Sequence, residues 1–167
     1  WGTHLYDKQV EHFKPNYRCI AFDFRGQGKS EVTKSGYDMD SLAEDAIALL
    51  EALEISKCHL VGLSMGGYVA QRVALKRPDL LHSLILLDTG AEAENPEKKA
   101  DYKKMLRAIH WLGMKRISKK VMPIMFGETF LNDKSRKQEY KTWLEHLRQN
   151  NKKGAMRATA GVIERDG

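Results

Sequence analysis

A chain of 167 residues, 42% hydrophobic and 30% charged, is long enough to bury one substantial core and too apolar for intrinsic disorder. Its two cysteines, Cys19 and Cys58, exclude a disulfide framework and a cysteine zinc set, and no apolar run reaches the roughly 18 residues that a membrane span requires. The formal net charge of +6 is unevenly divided: residues 1–90 hold 10 Lys and Arg against 12 Asp and Glu, whereas residues 91–167 hold 18 against 10. The basic residues of the second part come in pairs at helical spacing, interleaved with acids and backed by apolar positions. That is the pattern of solvated helix faces rather than of a nucleic-acid surface. With no secretion signal in "WGTHLYDKQVEHF", the expectation is a cytoplasmic location and no nucleic-acid or membrane partner.

Along the chain, "YRCIAFDF" (17–24) is rich in β-branched and aromatic residues and bounded by Pro15-Asn16 and Gly26, which predicts a strand. "RGQGKS" (25–30) then ends in the Gly-Lys-Ser that closes a phosphate-binding P-loop. The rest of that motif fails. Asp23 stands where the first Gly belongs, and its carboxylate would repel phosphate oxygens. The polar stretch "EVTKSGYDMD" follows instead of a helix start. Ser41-Leu42-Ala43-Glu44 reads as a capping box opening a helix with Leu42, Ala46, Leu49, Leu50 and Leu53 on one stripe. "CHLVGLS" (58–64) predicts a second strand, residues 65–77 a helix stopped by Pro78, and "SLILLD" (83–88) a third strand apolar on both faces. Strands buried on both faces and separated by helices imply a parallel sheet with crossover helices. Residues 91–167 read as several helices, basic outside and rich in Met, Trp and Leu inside. This divides the chain into an α/β part, 1–90, and a helical part, 91–167, with the boundary at "TGAEAENPE".

The sequence Gly62-Leu63-Ser64-Met65-Gly66 falls at the join of a predicted strand and helix. The G-x-S-x-G pattern carries chemistry only there, because a sharp turn at that junction pushes the Ser hydroxyl out above the sheet. Side chains at the flanking glycines are expected to clash with the neighbouring strand and helix. The helix that follows turns its first N–H groups and positive dipole end toward developing negative charge, which places the Met65 N–H as one oxyanion donor.

These segments resemble the α/β-hydrolase fold family. "YRCIAFDFRGQGKS" is similar to that family's strand and Asp-x-Arg-Gly-x-Gly-x-Ser loop. "HLVGLSMGGYVAQRVALKRPDLLHSLILLDTG" is similar to its nucleophile elbow, helix and next strand, and residues 91–160 stand where it inserts a helical cap. The Ser-Met-Gly-Gly form most resembles the branch of 3-oxoadipate enol-lactonases, cofactor-free haloperoxidases and small esterases. The resemblance implies an α/β fold with a partial parallel-sheet core and an inserted helical cap. It implies a serine hydrolase acting on a small-molecule carboxylic ester or lactone, with Ser64 as nucleophile and neither metal nor organic cofactor. It makes Arg25–Ser30 a structural loop and Trp1 a second oxyanion donor. Met105, Trp111, Met114, Met122, Met125 and Phe126 of the cap are candidates for an apolar acyl pocket.

In this family the order is Ser, then an acid, then His. The resemblance puts both later members beyond Gly167 and a central strand ahead of Trp1, so the chain is expected to be an internal piece, inactive alone. The six histidines, His4, His12, His59, His82, His110 and His146, read as surface or packing residues, and Asp88 as a structural strand-end carboxylate. The alternative is the same fold serving as a ligand-binding or scaffold protein without turnover.

Overall fold

The computed structural model describes residues 1–167, which divide into two compact units. One comprises Trp1–Val32 and Lys103–Met156, the other Thr33–Tyr102 and Arg157–Gly167. No helix is long and apolar enough to cross a membrane.

The second unit holds a β–α–β arrangement. β1 (Cys58–Leu63) leads through α3 (Met65–Lys76) to β2 (Leu81–Leu87), and the two strands pair in parallel with Leu60 opposite Leu84 and Leu63 opposite Leu87. A parallel pair needs such a crossover, because a helix must carry the chain back to the start of the sheet. α3 packs on both strands, and α2 (Met39–Ala52) packs on α3. Leu42, Ala43 and Ala46 of α2 and Val69, Ala70 and Val73 of α3 form the buried seam. The expectation of strands covered on both faces is not met: Val61, Ile85, Leu86 and Leu87 remain exposed, and because Ile85 and Leu86 point to opposite faces, neither face of β2 is fully covered at that end.

α2 starts two residues before the expected capping box. Asp38 is its cap, accepting from the Ser41 N–H at 2.8 Å and from the Ser41 hydroxyl at 2.8 Å. A carboxylate is an acceptor with charge to offer at a helix N-terminus, so it outcompetes the hydroxyl, which becomes its donor.

A buried ion pair fastens the same unit. Arg165 Nη1 lies 2.8 Å from Glu94 Oε2, with both side chains 6% exposed. Arg165 also donates to the carbonyls of Glu92 and Val162, and its guanidinium lies 3.9 Å over the Tyr68 ring. Burial pushes the Glu94 carboxyl up, but the Arg165 hydrogen bond and charge outweigh it and hold the carboxyl below its usual value.

In the first unit, α1 (Asp7–Phe13) follows a 3₁₀ turn at Thr3–Tyr6, and α4 (Pro96–Met125), α5 (Glu128–Asn132), α6 (Lys137–Gln149) and α7 (Lys152–Ile163) supply the helices, α4 and α7 reaching across the unit boundary. α4 is two helices in sequence, broken at Gly113, whose φ of 76° breaks the helical run. Met122, Leu144 and Leu147 are buried at the centre, with Trp1, Phe126, Phe130 and Trp143 packed around them.

The 17–24 segment, expected as a strand, is irregular. β-rich composition makes a strand only where another strand completes its ladder; β1 and β2 pair with each other, and Tyr17, Ile20 and Phe22 are left exposed. The following loop is built on Asp23. Its carboxylate accepts from the N–H groups of Thr3 and Lys29 at 2.6 and 2.8 Å, and its carbonyl accepts from the Ser30 hydroxyl at 2.7 Å. Gly28 sits at φ +50°, where a side chain would run into that carboxylate. The loop therefore turns around an anion of its own, which is the opposite of a phosphate cradle.

His4 stacks on His146 with ring centroids 3.8 Å apart, and its Nε2 is buried without a hydrogen-bond partner. Burial, and then the charge His146 would add, holds the His4 imidazole below its usual pKa.

Two measurements check these contacts. Removing one member of the buried pair, as in Glu94→Ala, leaves an uncompensated charge and is expected to cost about 3–5 kcal/mol in urea unfolding, whereas Asp79→Ala at a solvent-screened pair costs far less; equal losses would contradict the burial argument. Because the folded His4 binds a proton less readily than the unfolded one, stability is complete above about pH 6.5 and falls as the pH drops below it. His4→Phe should flatten that acid-side loss in a pH series of thermal midpoints, and an unchanged slope would remove His4 from the account.

Candidate active site at the β1–α3 turn

Ser64 joins β1 to α3 with φ 50° and ψ −115°, a conformation open to glycine and costly for any side chain, on the order of 1–3 kcal/mol. The surroundings hold it there. Its N–H donates to the Leu87 carbonyl at 2.9 Å, continuing the ladder of β1 with β2. Its carbonyl accepts from the N–H groups of Gly67 and Tyr68 at 2.8 and 3.2 Å, the first turn of α3, and from the Thr89 hydroxyl at 3.0 Å. The hydroxyl takes part in none of these bonds, and the residue is exposed. The backbone is thus anchored on both sides while the side chain is presented to solvent.

Glycine is required at two places in this turn. A Cβ on Gly62 would stand 2.6 Å from the Gly66 carbonyl carbon, so strand and helix backbones meet only because that side chain is absent. The second place is Gly67, where a Cβ would stand 2.6 Å from Thr89 Cβ. The expected clash at Gly66 does not occur; nothing lies within 4 Å of a Cβ there. The G-x-S-x-G pattern marks the correct turn but names the wrong helix glycine, because at Gly66 the side-chain direction points into open space.

Met65 is the first residue of α3. Asp88 follows β2 one position past the Leu63–Leu87 pair, is exposed and has φ +45°. Sequence reasoning missed the strain at Asp88 and the part of Thr89; a Thr directly after a strand-end Asp carries no signal of its own.

The remaining candidates lie in the first unit. Trp1 is half-buried against Phe126 and Trp143, and its amino nitrogen donates to Gln27 Oε1 at 3.1 Å. Met122 is fully buried in the helical core, and Met105 and Met114 are half-buried. Trp111 is 81% exposed, and Met125 is exposed as well. Phe126 lines an apolar hollow of about 520 Å³ together with Leu5, Phe130 and Trp143, where Arg136 lies 4.5 Å over the Phe130 ring. Of the six histidines, His59 bonds Ser83 Oγ at 2.8 Å across the two strands and His146 stacks on His4. No cluster of His, Cys, Asp and Glu suited to a metal ion is present.

The glycine geometry predicts an order of tolerance. Gly62→Ala should lower stability by about 1–3 kcal/mol, since two backbones must part. Gly66→Ala should be neutral or stabilising by up to about 1 kcal/mol, because alanine favours the helix. Thermal unfolding of both variants measures this, and equal destabilisation would contradict the close-approach argument.

Comparison with known proteins agrees with this geometry. The alpha/beta hydrolase fold family matches residues 2–139. The 3-oxoadipate enol-lactonase 2 of Acinetobacter baylyi is 36% identical over 93 residues, covering 54% of this chain and 35% of that protein. A thermophilic esterase from Thermogutta terrifontis superposes with a TM-score of 0.88 at 29% identity, over 99% of this chain and 60% of the other. The enol-lactonase of Burkholderia xenovorans shares the fold, with a TM-score of 0.89 at 22% identity over 99% and 62%. The chain thus spans about a third of the curated relative and about three fifths of the solved structures. A strained, exposed serine between a parallel strand and a helix, together with the match over residues 2–139, shows that the chain belongs to the α/β-hydrolase fold family.

Proposed function

We propose that this chain is the nucleophile-bearing part of a serine hydrolase acting on a carboxylic ester or lactone. The observation that carries the reading is the backbone of Ser64: φ 50°, fixed through its N–H and its carbonyl, with the hydroxyl exposed. Structure stores strain of that kind where a side chain must be aimed. Relatives and structural neighbours that bear esterase and enol-lactonase names support the same chemistry.

In the proposed reaction Ser64 Oγ attacks the substrate carbonyl carbon and its proton passes to a base. The carbonyl oxygen takes up the negative charge, and the Met65 N–H donates to it at the positive end of α3. Collapse expels the alcohol, which leaves with that proton, and water then attacks the acyl-enzyme by the same route in reverse order. A serine hydroxyl is a weak nucleophile without a neighbouring base. The base and the acid that orients it are proposed to come from residues outside 1–167, consistent with the share of its relatives that this chain covers; residues 1–167 alone are then expected to be inactive. For the first unit taken by itself, the hollow beside Phe126, Phe130 and Trp143 offers an apolar wall suited to a hydrocarbon or ring group.

The test uses the full-length protein and p-nitrophenyl acetate. Ser64→Ala is expected to lower kcat by about 10³-fold or more while leaving the circular-dichroism spectrum unchanged. Undiminished turnover by the folded variant would remove Ser64 from the reaction.

A further inference from the structure

The basic character of the helical segment is concentrated in one stretch. Between Asp101 and Glu128 lie seven cations, Lys103, Lys104, Arg107, Lys115, Arg116, Lys119 and Lys120, and no acid. The interleaving of charges read across 91–167 as a whole fails here. All seven are exposed, whereas Ile109, Ile117 and Met122 of the same helix face inward.

The break in α4 falls in the middle of this stretch. Gly113 has φ 76°, and Lys152 Nζ caps the preceding half by donating to the His110 carbonyl at 2.6 Å. Directly before the break stand Trp111, 81% exposed, and Leu112, 47% exposed. Helical spacing puts Trp111 on the face of Lys104 and Arg107, and puts Ile124, 65% exposed, on the face of Arg116 and Lys120. Large apolar side chains are thus held out in solvent on helix faces that also carry cations.

We propose that α4 docks on an anionic membrane surface, with Trp111 and Leu112 entering the headgroup region and the flanking lysines and arginines held by acidic lipid. An indole is suited to that depth, since its ring is apolar and its N–H stays wet. Basic residues near an acidic leaflet each add attraction, and together with a small apolar insertion they hold a protein at the surface without spanning it. No helix of residues 1–167 is long and apolar enough to cross a membrane, which has no bearing on this mode. A single-stranded nucleic acid would also meet the cations, and an exposed Trp stacks bases, but it would give Leu112 and Ile124 nothing to do. The proposal does not depend on the role of Ser64.

The experiment is vesicle flotation of the full-length protein at low and high salt, with phosphatidylcholine alone and with phosphatidylserine added. Association with the acidic vesicles only, lost at high salt, is expected. Lys115→Gln with Lys119→Gln should weaken it roughly 30-fold, about fivefold per charge. Brominated acyl chains should quench tryptophan emission in the wild type and much less in Trp111→Phe, which separates Trp111 from Trp1 and Trp143. No association with acidic vesicles would overturn the proposal, as would association unaffected by the charge substitutions, quenching that survives Trp111→Phe, or retention by an oligonucleotide in place of vesicles.

Discussion

The backbone at Ser64 is kept from relaxing by the close approach of Gly62 to the Gly66 carbonyl, and the rest of the site follows from that constraint. β1 ends in a hydrogen bond from Ser64 to Leu87, and α3 begins with two bonds back to the Ser64 carbonyl. A more comfortable φ at Ser64 would break one set or the other. Thr89 adds a third bond to the same carbonyl and fills the space beside Gly67. Each contact fixes main chain; none uses the hydroxyl. The unit around the turn supplies the rigidity, through the α2–α3 seam and through Arg165, which spans Glu94, two carbonyls and the ring of Tyr68, a residue one helical turn beyond Ser64.

The turn was legible in the sequence because its requirements are steric and short in range. A strand, a glycine, a serine and a helix start in that order leave few alternatives. Asp23 was legible too: a carboxylate in the place of a P-loop glycine argues against phosphate, and the structure shows that carboxylate accepting from the N–H of Lys29 in the loop and from that of Thr3. What sequence could not give was any feature decided by a distant partner. Residues 17–24 have the composition of a strand and remain irregular, because composition does not provide the neighbour that completes a ladder. Ser41 matched a capping box, yet Asp38 holds the cap, since two plausible acceptors three residues apart differ only in charge and in where the chain arrives. The Gly66 expectation failed because a motif gives positions along the chain and not the direction in which each Cα faces.

The helical segment carries a second contrast. Its inward positions are filled by Met122, Leu144, Leu147 and aromatic rings, an ordinary apolar interior. From Tyr102 to Met125 the charged residues of α4 are all cations, and Trp111 and Leu112 stand exposed among them at a helix break. Average charge over 91–167 concealed this, because all ten acids of the segment lie outside residues 102–127, where they nearly balance the other eleven cations.

The central claim is that the side chain displayed by the β1–α3 turn is a reactive nucleophile. Incubating the full-length protein with a fluorophosphonate and mapping the adduct by peptide mass spectrometry tests it most directly. The account predicts a single stoichiometric phosphonyl group on Ser64 Oγ, formed in step with the loss of ester hydrolysis. Hydrolysis abolished by modification of a different residue, or undiminished with Ser64 fully labelled, would contradict it.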